Sequence, residues 1–465
     1  MSASSLTASI ARSSPSRSSL SRACLAAALA ASFAIAAPAS AQTVGNVLLV
    51  VADDVGTDMV GCYGVNPNHP PTPTIDALAG DGILFRRAYT DPTCSPSRAE
   101  ILTGRYGFRT QLGSPIHDYY PEFSLQMSEI TLAELLHRGS TPIANSAIGK
   151  WHLGSISNAG PNHPNLQGFD WFGGTLGNFE LAGEDYFHHT YTRNGVQSLS
   201  TTYATTEQAD DAIARIQAMP EPWFCYLAFN APHFPLHAPP SGLHSYQLSG
   251  SPALTPVDHF SAAMQAMDHE LGRVLAAMSV PVRQHTTIIF VGDNGTPNEV
   301  LTPPVPAGQG KGTLYEGGVH VPLVIAGRSV RYRGVECPAL VNFVDLFPTI
   351  VGLMGLNMRA GLSDAREIDG VDMRPYLRDP QVTPVRSWVF AGRFSPNGPG
   401  PYTSSGRMMR DTRWKLIQRP GQSDLFYDML GLDWEGPSLL PGTLTPPQQA
   451  AYGALSAQLA TLTHP

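Results

Sequence analysis

A chain of 465 residues that is 42% hydrophobic and 14% charged is too long for one small domain and suits a large globular domain with a smaller companion. Its 44 glycines and 41 prolines fit a loop-rich enzyme, and no collagen, coiled-coil or repeat period runs through it. Acids outnumber bases 37 to 29, a formal charge of −8, which argues against nucleic acid or anionic membrane as a general partner.

Residues 1–41 read as a secretory leader. Arg12, Arg17 and Arg22 precede an apolar run from Ala23 to Ala37, and Ala39-Ser40-Ala41 forms an A-x-A cleavage site. The run is too short to span a membrane, and no later stretch is long enough either. The expectation is an exported protein, periplasmic or secreted. Cys62, Cys94, Cys225 and Cys337 remain after cleavage, too few and too scattered for a disulfide scaffold or a zinc motif, with room for one bridge.

In chain order, "VGNVLLVVADD" is an apolar run ending in Asp53-Asp54, the mark of a strand buried on both faces. "SAIGKWHLG" ends its weaker run at Lys150 and His152. "WFCYLAFNAPHFP" runs from Trp223 to Phe229 and then turns through His233, and "HTTIIFVGDNG" ends at Asp293-Asn294. Helical patterns such as "TLAELLHRG" and "DHFSAAMQAMDHELGRVLAAM" lie between. The expected fold is α/β, with a large mixed, mostly parallel sheet flanked by helices. "RSWVFAGRF" and "GRMMRDTRWKLIQRP", the latter turning at Asp411-Thr412, predict a short antiparallel sheet, and "PPQQAAYGALSAQLATL" a terminal helix. The expected division is a catalytic domain over 42–380 and a C-terminal α+β subdomain over 381–465.

Ligands in open α/β sheets sit beyond the carboxyl ends of the strands. Asp-Asp or Asp-Asn-Gly alone is first of all a cap or a turn. Here four strand ends carry polar groups toward one edge. Three carboxylates and an amide oxygen are hard ligands, suited to Ca²⁺ ahead of Mg²⁺ and unlike a zinc site. Packed together they would repel one another without a cation.

"CSPSRAEILTGR" places Cys94 at the mouth of a helix, with Pro96 in the first turn and Gly104 as the stop. Taken alone, Cys94 is a small buried hydrophobe or a thiolate nucleophile. The stretch resembles the signature of the sulfatase family, formylglycine-dependent enzymes of the alkaline phosphatase-like superfamily. "VADDVGTDMVGCYG", "TPTIDALAGDGILF", "GKWHLG", "GFDWFGG", "APHFPLHAP", "VGDNG", "GKGTLYEGGVHVP" and "VDLFPTIVGLMG" follow the family in order.

The resemblance implies that a formylglycine-generating enzyme converts Cys94 to an aldehyde that works as its hydrate. It implies that Asp53, Asp54, Asp293 and Asn294, with an oxygen of residue 94, bind Ca²⁺ and hold an oxygen of the sulfate ester. One hydroxyl of residue 94 would attack sulfur and the alcohol would leave, protonated by His233 with Lys311 nearby. Lys150 and Lys311 would neutralise the sulfate oxygens, and Arg98 would orient the hydrate. His152 would take the proton of the second hydroxyl, releasing sulfate.

Gly292 stands where serine is commoner, and His320 where arginine is, which puts a structural ion pair in doubt. "DLFYDMLGLDWEGPSLL" fits the family only loosely. A formylglycine-dependent phosphonate monoester or phosphodiester hydrolase shares these motifs. A two-zinc phosphatase is disfavoured, since Asn294 follows Asp293 where histidine would be needed. A non-catalytic, calcium-dependent binder of sulfated glycans is the alternative of another class. His117, Asp118, Trp171, His188, His189 and His237 are candidates to line the substrate pocket.

Overall fold

In the strand β1 (Asn46–Ala52) every residue is buried. Val47, Leu49 and Val51 enter one apolar core, while Leu48, Val50 and Ala52 enter a second on the opposite face. Alternating side chains thus meet helices on both sides, so the run carries no polar beat. Each buried valine or leucine among them contributes roughly 1.5–3 kcal/mol by leaving water.

The structure, a computed structural model, describes residues 44–139, 142–362 and 366–462, so the expected leader lies outside the described residues. The remaining strands of the large sheet are β2 (Gly82–Tyr89), β3 (Ala144–Gly149), β4 (Trp171–Gly174), β5 (His189–Arg193), β6 (Val196–Ser200), β7 (Trp223–Ala228), β8 (Thr286–Gly292), β9 (His320–Gly327) and β10 (Val335–Asn342). Their order is β10-β2-β9-β8-β1-β7-β3-β4-β5-β6. The centre, β8-β1-β7-β3-β4, is wholly parallel. Antiparallel pairing enters through β9 and through the β4-β5-β6 edge. The mixed, centrally parallel sheet is the one expected.

The helix Cys94–Thr103 and the helix Leu346–Leu353 pack on one face. Ala204–Ala218 and Pro256–Ala276 cover the other. No described helix is long and apolar enough to cross a membrane.

A second, antiparallel sheet joins β11 (Val389–Ser395), β12 (Ser404–Arg410), β13 (Trp414–Gln418) and β14 (Leu425–Asp428). The expected turn is built by Asp411, whose Oδ1 accepts from the amides of Arg413 at 2.7 Å and Trp414 at 2.6 Å. The terminal helix Pro446–Thr461 opens with a Thr445–Gln448 capping box and buries Leu455 and Leu459 against this sheet.

Candidate active site

Every residue of the helix Cys94–Thr103 is buried, so it lacks the polar face of a surface helix. Thr93 enters it extended, and Gly104 closes it at φ 68°, a left-handed conformation that costs glycine little. The Cys94 Sγ lies 3.2 Å from His152 Nδ1. His152 Nε2 is 2.7 Å from the Ile116 carbonyl, which can only accept, so that nitrogen carries the proton and the Nδ1 lone pair faces residue 94. Burial, then Lys150 and Arg98, push His152 well below its ordinary range, keeping the ring neutral. Burial pushes the Cys94 thiol up despite Lys150 and Lys311, which disfavours a thiolate at this position.

The acids converge because β1 and β8 are neighbours in register, Ala52 beside Gly292, so Asp53 and Asp293 emerge together. A Cβ on Gly292 would sit 2.0 Å from the Val55 carbonyl oxygen, which accounts for glycine there. Lys150 and His152 follow β3, and His233 lies in the loop after β7, the two strands next along the sheet. Asp54 (φ 70°) and His152 (φ 59°) are both left-handed without being glycine, strain of the kind that functional sites retain.

Each carboxylate meets a cation. Lys150 Nζ contacts Asp53 Oδ2, and Lys311 Nζ is 2.5 Å from Asp54 Oδ1. Arg98 Nη2 is 2.7 Å from Asp293 Oδ2 and 3.6 Å from Asp53 Oδ2, and its Nη1 donates to the Lys150 carbonyl at 2.8 Å. The chain's own cations thus offset part of the mutual repulsion, so repulsion alone does not require a metal. Arg98, expected to orient the hydrate, is engaged with Asp293, Asp53 and backbone.

A different observation points to a cation. Asp53 Oδ1, Asp54 Oδ2 and Asn294 Oδ1 are buried without a hydrogen-bond partner. Asn294 turns its amide toward Asp54 Oδ1 (2.8 Å) and the Gly295 carbonyl (3.0 Å), which leaves its own oxygen free. Three orphaned hard oxygens at adjacent strand ends fit Ca²⁺ or Mg²⁺. Asp53, Asp54 and His233 also offer ligand atoms within 4.8 Å of one another. Asp293 is less free: Oδ1 accepts from the Asp54 amide at 3.0 Å and Oδ2 from Arg98.

His233 Nε2 is 3.7 Å from Asp54 Oδ2, and its Nδ1 donates to the Phe234 carbonyl at 2.8 Å. Burial, Lys150 and Lys311 hold this ring well below its ordinary range. For Asp54, burial raises the carboxyl, yet Lys311 and His233 outweigh it and the net shift is downward. Asp293 is pushed up by burial and Asp53 against Arg98.

The six candidate pocket residues divide. His237 stacks on Tyr186 at 3.8 Å and meets the Tyr203 hydroxyl at 3.0 Å, and His189 is buried in β5, so both are structural. Trp171 carries the Arg215 guanidinium 5.4 Å from its ring centroid. His188 is exposed beside Asp185. His117 pairs with Glu180 at 3.0 Å. Asp118 is buried with both oxygens unpaired, and burial raises it to about 7. Among the described residues Cys62, Cys94, Cys225 and Cys337 are all free, so the bridge that the sequence left room for is not formed between them. The Ile116 carbonyl, which sets the His152 tautomer, has no side-chain signal by which sequence could have found it.

The sequence matches the Sulfatase family over residues 45–356. The N-acetylgalactosamine-6-sulfatase of Canis lupus familiaris is 31% identical over 388 residues, 76% of this chain and 70% of that one. Arylsulfatase J of Mus musculus is 26% identical over 410 residues, 82% of this chain and 65% of that one. The crystal structure of Ps i-CgsB in complex with k-i-k-neocarrahexaose has a TM-score of 0.72 at 23% identity, covering 90% of this chain and 92% of that one, and shares the fold. Fold, strand-end acids and sequence agree: the chain belongs to the sulfatase family and is a sulfuric ester hydrolase.

Proposed function

We propose that the chain, exported after loss of residues 1–41, hydrolyses the sulfate ester of a sugar hydroxyl with Cys94 as its formylglycine. The orphaned oxygens of Asp53, Asp54 and Asn294, gathered beside the Cys94–His152 pair, carry this reading. The sugar is suggested by relatives named N-acetylgalactosamine-6-sulfatase. Conversion of Cys94 requires a formylglycine-generating enzyme. The hydrate supplies a nucleophilic hydroxyl and a second one to expel sulfate, and Ca²⁺ held by Asp53, Asp54, Asp293 and Asn294 supplies positive charge.

The remaining work falls to the chain's side chains. Lys150 and Lys311 neutralise sulfate oxygens, each leaving the aspartate it now contacts. His152 accepts a proton at Nδ1, the atom facing residue 94. His233 donates to the departing oxygen, since an anion beside its buried ring favours the protonated form. Arg98 is a positioning residue that fixes Asp293 and the Lys150 backbone. The catalytic unit is assigned to 42–380 and the α+β subdomain to 381–465.

Purified from a host that performs the conversion, the protein should turn over 4-nitrophenyl sulfate with a higher kcat/KM than a phenylphosphonate monoester. The reverse order would replace this reading with the phosphonate hydrolase.

A further inference from the structure

The strands β3 and β7 pair with Gly149 beside Ala228, but His152 and His233 lie past the ends of these strands, outside the ladder. His152 is also left-handed without being glycine, a conformation that persists only where its surroundings over-determine it. The two loops therefore need something other than the sheet to hold them, and a set of buried polar groups centred on Asn230 meets both.

The Asn230 carbonyl accepts from the His233 amide at 3.0 Å, and the Tyr186 hydroxyl lies 2.8 Å from the carbonyl oxygens of both Asn230 and His233. The Asn230 side chain donates through Nδ2 to Thr175 Oγ1 at 3.0 Å. The Thr175 carbonyl in turn accepts from the Trp151 amide at 3.0 Å, and the carbonyl of the next residue, Leu176, from the His152 amide at 2.8 Å. A path of hydrogen bonds thus runs from the His233 backbone to the His152 backbone through the buried side chains of Asn230 and Thr175.

Gln208 fixes the centre of this path. It belongs to the helix Ala204–Ala218 and is wholly buried. Its Nε2 donates to Asn230 Oδ1 at 2.6 Å, and its Oε1 accepts from the Asn230 backbone amide at 3.3 Å. The two bonds close a ring that holds the Asn230 rotamer and directs its Nδ2 toward Thr175. A Cβ on Gly149 would sit 3.5 Å from Gln208 Cδ, so the same amide also backs the residue that precedes Lys150. An apolar side chain at 208 would deprive the buried Asn230 N–H of its acceptor and Oδ1 of the Gln208 donor.

We infer that Gln208 is a positioning residue of the reaction: acting through Asn230 and Thr175, it holds the backbones of His152 and His233 in register with one another. It acts on the proton acceptor and the proton donor of the hydrolase reading above, on which the inference rests. Misplacing a catalytic group by about 1 Å can cost on the order of 100-fold in rate.

The test is steady-state turnover of 4-nitrophenyl sulfate by converted protein, with rates normalised to its aldehyde content. Gln208→Met, apolar and of similar length, should lower kcat by about tenfold or more and leave KM within about threefold, because proton transfer is disturbed and sulfate binding is not. Thr175→Val should do the same, and Thr175→Ser, which keeps the hydroxyl, should recover kcat to within about threefold of the unmutated enzyme. Gln208→Met/Thr175→Val should lose no more than the worse single variant, to within about twofold, since both act through Asn230. An unchanged kcat in Gln208→Met, an effect confined to KM, or losses that multiply in the double variant would overturn the inference. If Gln208→Met does not fold, Gln208→Asn decides, since it keeps an amide but withdraws it by one methylene: a tenfold fall in kcat at unchanged KM supports the inference, and an unchanged kcat rejects it. Turnover by the unmutated enzyme, and its loss in His152→Ala and His233→Ala, report the hydrolase reading separately from the Gln208 and Thr175 variants.

Discussion

Asp53 and Asp54 each give one oxygen to a lysine and leave the other buried without a hydrogen bond, and the amide oxygen of Asn294 is likewise buried without one. A lost partner for a buried polar atom costs about 1–3 kcal/mol, so three such atoms on neighbouring loops are expensive unless something binds them. Ca²⁺ at roughly 100 times its Kd should therefore stabilise the protein by about 2.7 kcal/mol, read as a rise in Tm. Asp54→Asn should lose most of that rise, and chelation should abolish activity. A Tm indifferent to Ca²⁺ and to chelator would exclude these oxygens as a cation site.

At the level of elements, the site exists because β8, β1, β7 and β3 are parallel neighbours whose carboxyl ends open at one edge. Close backbone approach at that edge constrains the glycines. Gly292→Ser, the residue commoner in the family, places a Cβ 2.0 Å from the Val55 carbonyl oxygen. It should cost about 1–3 kcal/mol and lower activity, since Asp293 is the next residue; an unchanged Tm would contradict the packing argument. These four strands were legible in sequence, because strands buried on both faces read as apolar runs ending in polar residues, β3 the most weakly of the four. The β5–β6 hairpin escaped notice although Asn194-Gly195 is a strong two-residue turn signal, because its strands "HTYTR" and "VQSLS" are polar and partly exposed. The strand β14 lay in the stretch that fits the family loosely, and only its pairing with β13 defines it. Arg98 was implied by the resemblance to act beside residue 94. Its contacts depend on strands far away in sequence, and local spacing says nothing about those.

Across the whole molecule, a buried ionic cluster ties the two sheets together. Glu316, five residues beyond Lys311, accepts from Lys415 at 2.8 Å and Arg410 at 2.9 Å, and Lys415 also meets Glu435 at 2.6 Å. Burial would raise the Glu316 carboxyl, but Lys415 and Arg410 outweigh it and hold it far below the usual range. His320, whose identity put an ion pair in doubt, still faces Glu316, its Nδ1 3.5 Å from Oε2, but burial lowers the ring's pKa and the charged partners of that carboxylate are Arg410 of β12 and Lys415 of β13. Lys415→Met leaves Glu316 and Glu435 facing each other with one cation and should cost about 3–5 kcal/mol by thermal or denaturant unfolding. A loss below about 1 kcal/mol would show that the cluster does not hold the sheets. The account as a whole depends on the state of one atom, the Cys94 sulfur. The most direct measurement is mass spectrometry of the tryptic peptide Ala88–Arg98, "AYTDPTCSPSR", from protein exported by its native host, together with sulfate release by the same sample. The account predicts a peptide lighter than the cysteine form, reactive with an aldehyde probe, in a fraction that tracks activity. An unmodified thiol throughout, in protein that still released sulfate, would contradict the proposed chemistry.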